Sequence, residues 1–369
     1  MDCLVRAGPP QITAARYNPA MDTPRALAAL PNPALMGIVN ITPNSFSDGN
    51  QYLDPAAAVA HARQLAAEGA AILDLGAEAS SFFRPGVEPV LAEEQLRRLL
   101  PVLNQLSPPP ALTPDPAPQT PLISIDTRSA AVARRCVATG REGEMIINDI
   151  SAGTHDPAMF SAIAELGCPI ILMHIAPTYP DNPPADDPNI LETVAAYLRQ
   201  RVAVAIAAGI HPSRILLDPG IGFGKTPRDN MTLALRFPSH PDLPFPIVLG
   251  LSRKRFLTLL DDTHWLGFEI YRRALLPYLD NSEASSSSSP APSPPLSHDD
   301  KGSPHPPPAT VSAFSTQHSA FPRDLHTAVL TAYHAAHPQR PHGLIHRVHD
   351  VALNAAALRI GAQQLKPKP

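Results

Sequence analysis

Apolar and polar positions alternate along this chain with two different periods. Short runs at Met36–Ile41, Ala71–Leu75, Leu122–Ile125, Met145–Ile147, Pro169–Met173, Ile215–Leu217, Ile247–Leu249 and Leu344–Arg347 have the length and β-branched content of buried strands. Between them lie helical stretches: "DPAAAVAHARQLAAEGA" (Asp54 to Ala70), "AEEQLRRLLPVLNQL" (Ala92 to Leu106) and "LETVAAYLRQRVAVAIAAG" (Leu191 to Gly209). In the first of these, Val59, Ala62, Leu65 and Ala66 share one face at helical spacing. Eight strand–helix units with strands apolar on both faces predict an α/β fold closed as a TIM (β/α)8 barrel over residues 35–365. An open doubly wound sheet would need an early glycine-rich phosphate loop, and neither GxGxxG nor GxxxxGK[ST] occurs.

Three segments leave this rhythm. Residues 1–34 form an N-terminal extension, too short for another enzymatic domain. "SPPPALTPDPAPQTP", from Ser107 to Pro121, cannot continue a helix and should lie outside the barrel. From Asn281 to Pro322, Ser and Pro fill half of the positions, which predicts a disordered insertion between the seventh strand and a helix near Arg323 to His337.

Composition narrows the partners. Of 369 residues 44% are hydrophobic, enough for a real core, and a net charge of -4 supplies no basic field for nucleic acid or an acidic membrane surface. No apolar run approaches the ~18 to 20 residues that span a bilayer, so the expectation is a soluble chain. Cys3, Cys136 and Cys168 are scattered and odd in number, which fits buried free thiols in a reducing compartment. Arg6, Arg16 and Arg25 among early acids and prolines make a weak organelle-targeting signal at best.

In such a barrel the reactive groups come from the C-terminal ends of the strands. Asn40 and Asn44 follow strand one, Asp74 and Glu78 close strand two, and Asp126, Thr127 and Arg128 close strand three. Asn148 and Asp149 end strand four, His174 ends strand five, and Asp218 with "PGIGFGK" ends strand six. Ser252, Arg253 and Lys254 follow strand seven, and Arg347 and His349 close strand eight. Asp126 and Asp218 suit a heterocycle edge rich in N–H donors, and Asn148 suits a lactam-type edge. Lys254, Arg84, Arg253, Arg347 and His349 supply local positive charge for an anion such as a diphosphate.

These residues fall in motifs that resemble the dihydropteroate synthase family, in a fungal-like form. The matching runs are "MGIVNITPNSFSDG", "IDT", "INDIS", "LMH", "LDPGIGFGK", "GLSRK" and "RVHDV", in that order along the chain. The resemblance implies a transferase of folate biosynthesis, a sulfonamide target, that joins 6-hydroxymethyl-7,8-dihydropterin diphosphate to 4-aminobenzoate. It implies that Asp126, Asn148, Asp218 and Lys254 hold the pterin, with Met173 and Gly222 among the substrate-binding residues. Phe223 would shape the aminobenzoate side, with Ser252 receiving the carboxylate. Asn40 would bind Mg²⁺, while Arg84, Arg347 and His349 would meet the diphosphate and Phe46 would cover the site from a mobile loop. A cytoplasmic homodimer follows from the same resemblance, with a mitochondrial location and association with other folate-pathway enzymes left open.

Two loops depart from the family pattern. "GAEASSFFRPG", Gly76 to Gly86, is longer than the family's segment and carries a Phe82–Phe83 pair before Arg84. "HIAPTYPDNPP" replaces the usual strand-five loop. They keep two rival readings in view: a pterin-binding homologue with impaired catalysis, and a pterin-dependent methyltransferase on the same barrel.

Overall fold

The computed structural model describes residues 24–42, 54–78, 88–106, 120–139, 145–180, 185–260, 321–336 and 343–364. Eight parallel strands close into a barrel in chain order: β1 Ala34–Asn40, β2 Ile72–Gly76, β3 Leu122–Asp126, β4 Met145–Asp149, β5 Ile170–Met173, β6 Ile215–Asp218, β7 Ile247–Leu249 and β8 Leu344–Val348. Their ends lie within two residues of those read from the hydrophobic pattern. The seam is made by β8, which sets Leu344 beside Ile247 of β7 and Met36 of β1 beside Arg347.

The outer ring comprises α1 Pro55–Ala67, α2 Ala92–Leu106, α3 Ala130–Val137, α4 Met159–Leu166, α5 Ile190–Ala207, α6 Pro227–Arg236, α7 Phe321–Ala336 and α8 Val351–Gln364. Several starts are written in the sequence: the side chains of Asp54, Ser129 and Thr226 accept the first free amides of α1, α3 and α6, and proline opens α1 and α6. Helix α7 begins at Phe321, just inside the expected Ser/Pro insertion, because Pro322 in a first turn forfeits no helical hydrogen bond. Residues 261–320 and 107–119 lie outside the described residues, and with them nearly all of the insertion and the proline-rich connection.

Side chains alternate across each strand, so one face packs on the helices and the other fills the lumen. Met36, Ile72, Leu122, Ile146, Ile171, Leu216, Val248 and Ile345 form the lumen's apolar floor. The extension expected at 1–34 contributes to it, since Leu27, from a single helical turn at Arg25–Ala28, packs into the same cluster. Two residues further along the strands the lumen turns polar: Asp74 follows Ile72, Asn148 follows Ile146, Asp218 follows Leu216 and Arg347 follows Ile345. Four residues on, Asn40 follows Met36 and Asp126 follows Leu122. One pleat therefore separates the core from the site.

Cys136 and Cys168 are buried free thiols, which burial pushes up to about 12 and about 11, while Cys3 lies outside the described residues. No helix among the described residues is long and apolar enough to cross a membrane.

Candidate active site

Arg347 organises the lumen. Its Nε donates to Asp74 Oδ2 at 2.6 Å and an Nη donates to Asp126 Oδ2 at 3.0 Å, so one guanidinium spans carboxylates from β2 and β3. Asn148 Nδ2 lies 3.3 Å from Asp74 Oδ2 and ties β4 into the same group. Asp74 is fully buried and was not among the expected ligand contacts. Its partner stands 273 positions away, so the strand-two carboxylate alone gave no sign of the pairing. Burial and the neighbouring Asp74 charge push the Asp126 carboxyl up to about 7 despite Arg347.

On the opposite wall, burial also raises the Asp218 carboxyl, against the pull of Lys254 and an N–H bond from Gly220 at 2.7 Å. Lys254 donates to the Ile221 carbonyl, and its Nζ stands 4.8 Å from the centroid of the Phe223 ring. Burial pushes that ammonium down to about 8, Asp218 opposing the shift. Gly222, at φ +84°, allows this approach: a Cβ there would lie 2.9 Å from Lys254 Cδ. The ring of Phe223 also packs on Tyr179, with centroids 5.3 Å apart. Tyr179 belongs to the divergent strand-five loop, which therefore reaches the site. Met173 ends β5 beside Asp218 in the register.

Past β7, Ser252 and His349 meet: Ser252 Oγ lies 2.9 Å from His349 Nδ1 and accepts the His349 backbone N–H at 3.2 Å. Burial and the nearby cations Arg253, Arg347 and Lys254 hold the imidazole well below its ordinary range. His349, expected as part of a cationic cluster, is neutral at pH 7 and offers a hydrogen bond in place of a charge. Arg253, also expected to face an anion, has its Nε 3.1 Å from both Asp324 oxygens of α7. Its backbone takes the left-handed φ of +60°, and its guanidinium, though paired with Asp324, stays close enough to His349 to depress that imidazole. Asn40 Oδ1 borders Gly76, where a Cβ would lie 3.8 Å from it and 3.6 Å from Asp126 Cβ. Phe46 and Arg84, with the Phe82–Phe83 pair, lie outside the described residues.

Residues 36–274 match the model of the family described as pterin binding enzyme, well over half of the chain. The chain belongs to the dihydropteroate synthases of that family. It is 37% identical to dihydropteroate synthase of Bacillus subtilis over 234 residues, 63% of this chain and 75% of that one. It is 40% identical over 235 residues to the mitochondrial folate synthesis bifunctional protein of Pisum sativum, covering 60% of this chain and 43% of the plant protein. The solved Xanthomonas albilineans dihydropteroate synthase with 4-aminobenzoic acid superposes with a TM-score of 0.61 at 30% identity, over 91% of this chain and 94% of that one. This synthase is a transferase built on the barrel that the hydrophobic pattern predicted.

The charge cluster of the synthase makes a pH-dependent contribution to its stability. Asp126 has a folded-state value near 7 against 3.8 for the free side chain, so between those values the folded state binds more protons than the unfolded state. That contribution is complete below about pH 4 and is lost as pH rises through about 7. Asp126→Asn should remove this component. Urea titrations of both forms from pH 4 to 8 should show the stability difference shifting in favour of the variant as pH rises, and a constant difference would contradict it.

Proposed function

We propose that this synthase condenses 6-hydroxymethyl-7,8-dihydropterin diphosphate with 4-aminobenzoate, releasing diphosphate and 7,8-dihydropteroate. The observation that carries the reading is the polar layer of the lumen. Buried Asp74 and Asp218, half-buried Asp126 and the Asn148 amide share one polar layer with Arg347, and Lys254 stands at its edge. A pterin edge offers N–H donors and a lactam, which acceptors of this kind match. The C–O bond to diphosphate breaks with its electron pair leaving on oxygen, and the aminobenzoate nitrogen forms the new bond to the methylene carbon and gives up a proton to solvent. The carboxyl oxygens of Asp126 and Asp218 favour the electron-poor pterin methylene, while Arg347 and the His349 N–H stabilise the departing diphosphate. Phe223 shapes the aminobenzoate side, with Ser252 receiving the carboxylate. Arg84 meets the diphosphate and Phe46 covers the site from the strand-one loop.

Mg²⁺ fits the donors on hand as a cation brought with diphosphate. Among the described residues no group of three or more His, Cys, Asp or Glu could hold a metal, and Asn40 offers one hard carbonyl oxygen. Bound there, Mg²⁺ would neutralise charge on the leaving group. The assembly in this reading is a homodimer in the cytoplasm, and the pea relative's bifunctional, mitochondrial form makes other folate enzymes its natural partners.

A steady-state assay of the full chain with pterin diphosphate, 4-aminobenzoate and Mg²⁺ should yield 7,8-dihydropteroate, and EDTA should abolish it. Tight binding of the pterin diphosphate without turnover would establish the impaired homologue in its place.

A further inference from the structure

We infer that Lys225 is a positioning residue for the aminobenzoate half of the reaction, its ammonium stapling the loop after β6 onto the end of β5 and thereby fixing the Phe223 ring. Lys225 is buried, and its Nζ donates to three main-chain carbonyls: Gly220 at 2.6 Å, Phe223 at 3.1 Å and His174 at 3.4 Å. Two belong to the loop and the third ends the neighbouring strand, so the three ammonium hydrogens bridge two separate pieces of backbone. The bridge demands very close approach. A Cβ on Gly220, at φ +66°, would lie 1.7 Å from the His174 oxygen, so no side chain fits there. Asn230 completes the staple, accepting Gly222 N–H at 2.7 Å and donating to the Lys225 carbonyl at 3.1 Å.

What this backbone carries is the Phe223 ring, set between Tyr179 and the Lys254 ammonium. Burial pushes Lys225 down from its ordinary range, while Asp218 and Asp229 favour the charged ammonium. A methionine side chain has similar length and would fill the space, but the His174 carbonyl would lose its bridge to the loop, while Gly220 O would keep only the Phe223 N–H at 3.1 Å and Phe223 O only the Ala176 N–H at 3.3 Å. The loop would then relax away from β5 and carry Phe223 with it.

This inference rests on the assignment of Phe223 to the aminobenzoate side. In the full chain, Lys225→Met should raise KM for 4-aminobenzoate by about 10-fold or more while kcat and KM for the pterin diphosphate change by less than about 3-fold. Lys225→Gln, which keeps two N–H donors, should give a smaller rise and remains testable if the methionine form does not fold. Unchanged KM for aminobenzoate in either soluble variant, or parallel losses in all three constants, would overturn the staple. Phe223→Ala separates the two readings. If it too leaves KM for aminobenzoate unchanged, the assignment of Phe223 is at fault; if it alone raises KM, only the role of Lys225 fails.

Discussion

Replacing Arg347 by methionine should destabilise the barrel by about 3 to 5 kcal/mol at pH 8, because it leaves Asp74 and Asp126 buried together without their shared cation. The loss should be smaller at pH 5.5. Asp126 already holds its proton up to about pH 7, and without the guanidinium it holds it more firmly, so the variant regains stability as pH falls. Turnover should drop by at least about 100-fold at either pH, since the polar layer loses the group that orders two of its acceptors. Urea unfolding at the two pH values decides the matter: a loss under about 1 kcal/mol would mean that the guanidinium compensates neither carboxylate, and a larger loss equal at both would mean that it does not act through Asp126.

Asp218→Asn should weaken pterin-diphosphate binding by about 2 to 4 kcal/mol, roughly 30- to 700-fold. Asp218 Oδ1 already takes the Gly220 N–H, and a Cβ on Gly250 would lie 3.9 Å from Oδ2 and 3.5 Å from Lys254 Nζ. An asparagine would satisfy Gly220 with its oxygen and turn an NH₂ toward a donor-rich ligand, placing donor against donor. The fold should survive, because the substitution conserves volume and removes a desolvated charge. Calorimetry with pterin diphosphate would show an unchanged affinity if Asp218 were not the acceptor.

The barrel was legible because its strands are apolar on both faces and end in polar residues, a pattern that survives loops of any composition. The polar layer was legible for the same reason: Asp126, Asn148, Asp218 and Arg347 each fall at the end of a strand. What escaped was pairing at a distance. Asp74 looked like a strand-two carboxylate among others until β8 set Arg347 against it. Arg253 and Lys254 are adjacent in "SRK", yet the first pairs with Asp324 and the second stands at Phe223. His349 reads as part of a cationic cluster by type, and its burial among cations holds the imidazole well below its ordinary range. Leu27 belongs to the core for a reason no local pattern carries, since the floor it seals is made of strands from the whole chain.

The seam strand β8 is made last among the eight, on the far side of 261–320. As the polypeptide leaves the ribosome, β1 to β7 emerge with Asp74 and Asp126 but without Arg347, and the sheet has two unpaired edges, at β1 and β7. The same strand closes both edges and brings the cation that both carboxylates share, so geometry and charge pairing are completed in one step. A nascent chain halted before Leu344 is therefore an open, acidic, seven-stranded intermediate that holding chaperones should recognise, and the arrival of β8 marks the moment at which it stops being their client.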